Sequence, residues 1–189
     1  MKTIITLLVL ISSFEILPAQ VSQEWVSVYN YTGSSGDIPN GMVVDNFGNI
    51  YILVTSGGYI VTIKYNSLGD SLWVKRYNGP GNLSDNATSI ALDESGNVYV
   101  TGSSAGIGTN HDYATIKYNS FGLVQWIQRY NGSGNGLDYP TSIAVDNLGN
   151  VYVTGSSQEV GNNSDYATIK YNSSGIEQWV RKYNGPGNF

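Results

Sequence analysis

The chain of 189 residues contains no cysteine and a single histidine, His111. Without cysteine, neither a disulfide framework nor a thiolate metal site can form. One histidine also excludes a multi-histidine zinc site within one chain. We therefore predict no metal and no cofactor, and we interpret His111 as an ordinary exposed loop residue.

Charge and long hydrophobic runs are also scarce. Only 12% of residues are charged and the net charge is -5, which argues against nucleic-acid binding because that requires clustered Lys and Arg. The apolar run at residues 4–11 is much shorter than the ~20 residues of a membrane-spanning helix. With Lys2 before it and Ala19 after it, this run predicts a signal peptide at residues 1–20, although a buried N-terminal strand is the alternative. We therefore expect a secreted or cell-surface protein without a membrane span.

Glycine, tyrosine, asparagine and serine are abundant, which favours short strands joined by tight turns. The chain also repeats itself. The octapeptide DYATIKYN occurs at residues 112–119 and 165–172, with a weaker echo, YIVTIKYN, at residues 59–66. Tryptophans recur with the same period: Trp73, Trp126 and Trp179 are 53 residues apart, and Trp25 lies 48 residues before Trp73. Self-similarity at this period is typical of propeller blades or another repeat array.

Each unit is predicted to contain four short strands. In the second unit these are TSIALD, VYVTGS, DYATIKYN and LVQWIQRY, separated by turns rich in Gly and Asn. The sequence therefore predicts an all-β fold of β-propeller blades, each with four antiparallel strands. We place the segment at residues 21–189, with repeats at approximately 29–76, 77–129 and 130–182. Residues 25–30 match the fourth strand of a blade and predict one additional N-terminal outer strand.

The motifs GNVYVTGSS, DYATIKYNSxG and QWxxRYNGxGN resemble the SBBP family of β-propeller repeats, which occur in exported bacterial proteins. The resemblance implies a blade of a large secreted or surface protein, and the family has no established catalytic motif to carry over. A blade buries both faces against its neighbours, so we interpret the tryptophans as structural residues that fill the gap between blades. These are Trp25, Trp73, Trp126 and Trp179.

Three blades are fewer than the four to eight of a closed propeller. We therefore expect the N-terminal fragment of a longer propeller. The alternative is a short chain that completes a ring by oligomerising. In either case an open arc exposes the apolar faces of its end blades, which predicts self-association.

Aspartates recur at two loop positions that a propeller brings to the same face. We hypothesise that they surround one end of the channel and bind a cation such as Ca²⁺ or contact a polyol. The alternative is that each caps its own turn through backbone N–H groups. The five candidates are Asp37, Asp85, Asp112, Asp138 and Asp165. A third set on the opposite face, Asp45, Asp93 and Asp146, is interpreted as turn-forming.

Repetition argues against enzymatic activity, because glycosidase chemistry requires two carboxylates with different, specialised roles. We therefore expect a non-enzymatic binding or scaffold module for an extracellular ligand, either a glycan or a protein. Two alternatives remain open. The first is that the chain is part of a propeller hydrolase or lyase whose catalytic residues lie outside it. The second is that it is a structural spacer.

Overall fold

The computed structural model describes residues 23–29, 36–161 and 164–185. Within these ranges it contains no helix, and therefore none long and apolar enough to cross a membrane. Its strands form three four-stranded antiparallel sheets, which confirms the predicted all-β fold. The predicted signal peptide at residues 1–20 lies outside the described residues.

The strands of each sheet follow one another in chain order. The first sheet contains β1 (Ile38–Val44), β2 (Ile50–Ser56), β3 (Tyr59–Tyr65) and β4 (Ser71–Tyr77). The second contains β5 (Asp85–Leu92), β6 (Val98–Ala105), β7 (His111–Tyr118) and β8 (Val124–Tyr130). The third contains β9 (Tyr139–Val145), β10 (Val151–Gln158), β11 (Ser164–Tyr171) and β12 (Glu177–Tyr183).

The predicted N-terminal outer strand has no hydrogen-bonded ladder: residues 23–29 lie beside the first sheet but are not a strand. A strand needs a neighbouring strand to accept its backbone hydrogen bonds. The prediction makes this segment the fourth strand of a preceding sheet, and the described residues contain no third strand of such a sheet for it to pair with. Trp25 nevertheless contacts the first sheet, with its ring centroid 6.4 Å from that of Tyr65.

The first two strands of each sheet are joined by the same aspartate-based turn. In the second sheet, Asp93 Oδ1 accepts hydrogen bonds from the backbone N–H groups of Ser95 and Asn97, both at 2.9 Å. Its Oδ2 accepts from the Asn97 side chain at 2.7 Å and from the Tyr99 hydroxyl at 2.8 Å. Asp45 and Asp146 make the same four contacts in the other sheets. All three are thus turn-forming residues, as the sequence predicts.

Most of the hydrophobic core of the described residues lies between consecutive sheets, and a smaller cluster lies in the first sheet around Val61 and Tyr65. One cluster combines Tyr51 and Ile60 of the first sheet with Val98 and Ile116 of the second. The equivalent cluster combines Tyr99 and Tyr113 of the second sheet with residues of the third, which are Ile143, Val151, Val153, Ala167, Ile169 and Tyr171. Strands that alternate side chains between two faces therefore bury both faces of the second sheet.

Tryptophan connects each sheet to the next. The indole N–H of Trp73 in β4 donates to the Ser120 carbonyl of the β7–β8 turn at 3.2 Å, and Trp126 contacts Ser173 in the same way. Gly122 in the β7–β8 turn has φ of 75°, and a Cβ there would lie 2.9 Å from the Trp73 ring. Glycine is needed at this position both for the left-handed backbone and for the space that the indole occupies.

Candidate functional site

The structure buries three of the five candidate aspartates and leaves Asp37 and Asp165 half-buried. Asp85 Oδ2 accepts a hydrogen bond from the Gly79 backbone N–H at 2.7 Å. Asp138 accepts from the backbone N–H groups of Gly132 and Gln158, at 2.8 and 2.9 Å. These contacts close the loops that lead from one sheet to the next.

Asp112 is buried beside a cation. Arg129 Nη2 lies 2.9 Å from Asp112 Oδ2, and Nη1 of the same guanidinium donates to the Tyr77 hydroxyl at 2.9 Å. Arg129 also donates to the carbonyl and the hydroxyl of Ser104. The sequence analysis missed Arg129, although a basic residue follows the tryptophan by three positions in each of these units, at Arg76, Arg129 and Lys182.

The ligand-binding role of the five aspartates stays a prediction, and the structure gives the buried ones a structural role. Burial raises the pKa of Asp138 above its ordinary value, although three hydrogen bonds to its carboxylate oppose the shift. Within the described residues, no cluster of three or more His, Asp or Glu side chains is arranged to hold a metal ion. Asp37 accepts a hydrogen bond from the Ser56 hydroxyl in the first sheet.

His111 is half-buried and is the first residue of β7, which differs from the predicted exposed loop residue. Its Nε2 lies 3.0 Å from the Ser84 carbonyl, and its ring stacks on Tyr139 with centroids 6.3 Å apart. The backbone carbonyl of His111 accepts a hydrogen bond from the Asp138 N–H at 2.7 Å. The reason for the difference is tertiary packing, because the third sheet begins directly beside the start of β7.

Two clefts lie at the opposite end of the sheets, where the aspartate-based turns are. The first cleft, between the first and second sheets, has a volume of about 420 Å³. The second cleft, between the second and third sheets, has a volume of about 310 Å³. Equivalent repeat positions line both: two turn aspartates, a tyrosine, a lysine and a serine of the following sheet. These are Asp45, Asp93, Tyr51, Lys64 and Ser120 in the first cleft, and Asp93, Asp146, Tyr99, Lys117 and Ser173 in the second.

A lysine ammonium sits in each cleft. Lys64 is only 8% exposed, and its Nζ lies 4.9 Å from the Tyr51 ring centroid and 3.3 Å from the Ser120 carbonyl oxygen. Lys117 repeats these contacts at 5.1 Å from Tyr99 and 3.2 Å from Ser173. The sequence analysis overlooked these lysines within DYATIKYN and its echo, although a charged residue in an otherwise apolar strand is a recognisable signal.

The two clefts differ at their rims. Glu94 is exposed in the turn of the second sheet and lines both clefts. Phe47, 85% exposed, stands at the rim of the first cleft. Its repeat equivalent in the second cleft is Ser95, and Leu148 of the second cleft corresponds to Ser95 of the first. The first cleft therefore offers an aromatic ring that the second lacks.

A third cavity, of about 280 Å³, lies on the face that carries the five aspartates. It is lined by the short β2–β3 turn at Gly57 and Gly58, by Tyr59, and by the β4–β5 loop around Asn78 and Ser84. None of the five aspartates lines these three cavities. The first cleft has the greatest volume of these three cavities, and it lies on the face opposite to the one that the sequence analysis favoured.

Comparison with protein families gives two matches to the SBBP model, described as a beta-propeller repeat, at residues 72–108 and 125–162. These two segments match SBBP β-propeller repeats. Each SBBP match begins in the outer strand of one sheet, β4 or β8, and runs past the first two strands of the next. Each match therefore includes a tryptophan (Trp73 or Trp126), the loop that connects two sheets, and the aspartate-based hairpin.

No curated protein matches the chain. Among solved structures, a fucose lectin from Kordia zhangzhouensis in complex with methyl-fucoside is similar at 14% identity and a TM-score of 0.43, covering 79% of this chain and 100% of the lectin. A catalytically inactive virginiamycin B lyase from Staphylococcus aureus with quinupristin is similar at 12% identity and a TM-score of 0.29. That match covers 84% of this chain and 73% of the lyase.

Proposed function

We propose that this chain is a non-enzymatic β-propeller binding module of an exported protein, and that its ligand occupies the clefts between consecutive sheets. The observation that carries the proposal is the recurrence of one cleft, built from the same repeat positions, at both sheet boundaries. Volumes of about 420 and 310 Å³ are within the usual range for small-molecule sites. Loops on a rigid repeat scaffold commonly carry binding functions.

The chemistry of the cleft supports binding rather than catalysis. Burial raises the pKa of Asp93, but hydrogen bonds from Asn97, Tyr99 and Ser95 outweigh it and leave this pKa below its ordinary value. A general acid at neutral pH needs a raised pKa. The oxygens of Asp93 are also occupied by its own turn, so this carboxylate is a poor candidate for attack on a substrate.

Export to the cell exterior is part of the same proposal, and it is supported by the basic start and short apolar run of residues 1–20. The partner would then be an extracellular glycan or protein. Expression of the full chain in a bacterial host, followed by N-terminal sequencing of the protein outside the cytoplasm, tests this part. Retention of residues 1–20 in a purely cytoplasmic product would contradict it.

The binding proposal is tested by immobilising the full chain and screening an array of extracellular glycans and matrix proteins. The double variant Lys64→Ala/Lys117→Ala removes the ammonium from both clefts, and we expect it to lose retained ligands. Lys170→Ala is the matched control, because Lys170 lies over Tyr152 at 5.3 Å but no following sheet is described beside it. We expect the control to bind as the unchanged chain does.

The same screen separates the alternatives. If Asp165→Ala abolishes ligand retention and the lysine variants do not, the aspartate face is the binding site and the clefts are not. If no ligand is retained by any form of the chain, the binding proposal fails and a structural spacer is the better description.

A further inference from the structure

We propose that the first cleft binds a neutral, hydroxylated ligand of the saccharide class, held between the Lys64 ammonium and the Glu94 carboxylate. This inference rests on the proposed binding function and adds the class of ligand. It begins from two groups of opposite charge that line one cleft without pairing to each other. Lys64 donates to the Ser120 carbonyl, and the salt bridges among the described residues are Arg129–Asp112 and Lys182–Glu159.

An ammonium group has three hydrogen-bond donors, and a carboxylate is an acceptor. One donor of Lys64 is directed to Ser120, and because Lys64 lines the cleft we expect a ligand there to accept from its other donors. A sugar hydroxyl both accepts and donates, so neighbouring hydroxyls on one ring satisfy Lys64 and Glu94 together. A ligand with only acceptors or only donors satisfies one of them.

The charges in the cleft disfavour ionised ligands. Asp45, Asp93 and Glu94 outnumber the single ammonium of Lys64, so a phosphate or an acidic sugar meets net repulsion. A compact cation is repelled at the inner wall, where Lys64 is almost completely buried. A neutral polyol avoids both penalties.

The rim of the first cleft adds an apolar surface against which the apolar face of a ligand can pack. Phe47 is highly exposed at the cleft entrance, and Val44 and Leu92 also line the cleft. Binding sites commonly combine apolar and aromatic walls with a few well-placed polar groups. The C–H face of a pyranose ring is the part of a hydroxylated ligand that fits against an aromatic side chain.

The second cleft is an internal comparison. It shares Glu94 and has Lys117 in place of Lys64, but Ser95 stands where the first cleft has Phe47, and the volume is smaller. We therefore expect the first cleft to bind the saccharide more tightly. Removal of an aromatic contact corresponds to a loss of roughly threefold to tenfold in affinity.

The experiment titrates the full chain with a panel of neutral methyl glycosides, with glucuronate and glucose 6-phosphate as ionised controls, by calorimetry. Phe47→Leu removes the aromatic ring from the rim of the first cleft, and we expect about threefold to tenfold weaker binding of the neutral glycoside. Leu148→Phe places an aromatic ring at the rim of the second cleft and should tighten that site. Glu94→Gln should weaken both sites by about tenfold or more, because it replaces a charged acceptor.

Phe121→Leu is the matched control, since Phe121 is an exposed phenylalanine of the β7–β8 turn that lines neither cleft. Equal losses for Phe47→Leu and Phe121→Leu, or equal binding of glucuronate and neutral glycosides, would overturn the inference. Absence of saccharide binding, combined with a peptide ligand lost in Lys64→Ala/Lys117→Ala, would overturn the ligand class and leave the binding function standing. If no ligand depends on either cleft, both the proposed ligand class and the proposed binding function are contradicted.

Discussion

The second and third sheets have nearly the same sequence but different surroundings. About two thirds of the aligned positions in their repeats are identical, including the whole of DYATIKYN. Yet Tyr113 of the second sheet is 1% exposed, whereas the equivalent Tyr166 of the third sheet is 65% exposed. The second sheet is covered on both faces, and the described residues place no sheet on the outer face of the third. Local sequence therefore determines which way a side chain points, and the neighbouring sheet determines whether it is buried.

The largest expected difference between the two sheets is at this tyrosine pair. Tyr113→Ala removes a buried ring that lies 5.4 Å from Tyr130 and a hydrogen bond to the Ser156 carbonyl at 3.1 Å. We expect a loss of about 4 kcal/mol in the free energy of unfolding, because a buried aromatic leaves a cavity. Urea unfolding of the full chain measures it.

Tyr166→Ala is the matched control and should cost less than ~1 kcal/mol, since an exposed side chain has little packing to lose. Equal losses for both variants would mean that the outer face of the third sheet is covered in solution, and the comparison between the sheets would then break down.

The ionic contacts of the two sheets should differ in the same direction. Arg129→Ala leaves the Asp112 carboxylate buried without its cation, and removal of one member of a buried pair typically costs about 3 kcal/mol. In the third sheet the equivalent residue is Lys182, which is exposed and pairs with Glu159 at 2.7 Å. Lys182→Ala should cost less than ~1 kcal/mol, as is usual for surface pairs.

The variant Arg129→Lys sharpens this test. A lysine can keep the charge beside Asp112 but cannot reproduce the several donors that Arg129 directs to Tyr77 and Ser104. Guanidinium-chloride midpoints should therefore rank the unchanged chain first, Arg129→Lys second and Arg129→Ala last. A midpoint for Arg129→Lys equal to that of the unchanged chain would show that only the charge matters.

The fold was predictable because its signals are local. Alternating strands and turns such as ESGN and NSFG lie within about fifty residues of chain and recur, so the four-stranded sheets follow from the sequence. The clefts were not predictable, because they form between sheets: Lys64 and Ser120 are 56 residues apart.

The burial of the aspartates was not predictable for the same reason. The sequence predicts Asp85 and Asp138 around the channel or in their own turns, but their burial depends on the close packing of Gly79 and Gly132 against strands distant in the sequence.

A smaller difference is expected at the tryptophans. Trp126 of the second sheet donates to Ser173, and its ring lies 6.2 Å from Tyr99 and 6.0 Å from Tyr171. Trp179 of the third sheet lies 6.2 Å from Tyr152, within its own sheet, and has no following turn beside it among the described residues. Trp126→Ala should lower stability by about 2 kcal/mol, and Trp179→Ala by less than ~1 kcal/mol.

Thermal unfolding of the full chain distinguishes these two substitutions. For a chain of this size, 1 kcal/mol corresponds to a shift in Tm of roughly 2–4 °C, so Trp126→Ala should lower Tm by about 4–8 °C. A comparable shift for Trp179→Ala would indicate that another sheet accepts this indole in solution, as the second sheet accepts that of Trp73.

The smallest expected effect is on the pH dependence of the free energy of unfolding, and it has opposite signs at Asp93 and Asp138. Asp93 of the second sheet has a lowered pKa, because the hydrogen bonds of its turn together outweigh burial, so it stabilises the fold above the unfolded-state pKa of about 4. That stabilisation is lost as the pH falls through the lower folded-state value. Asp138, at the entry to the third sheet, has a pKa raised by burial, so its contribution is present below the ordinary pKa and is lost as the pH rises through the folded-state value.

These signs give a paired prediction for urea unfolding measured between pH ~3 and ~7. Asp93→Asn should lower stability at neutral pH by about 1 kcal/mol and make the loss of stability on acidification shallower. Asp138→Asn should make that loss steeper, because it removes a group whose protonation favours the folded state. Parallel pH profiles for the two variants would contradict the assignment of one aspartate to a hydrogen-bonded turn and the other to a desolvated loop.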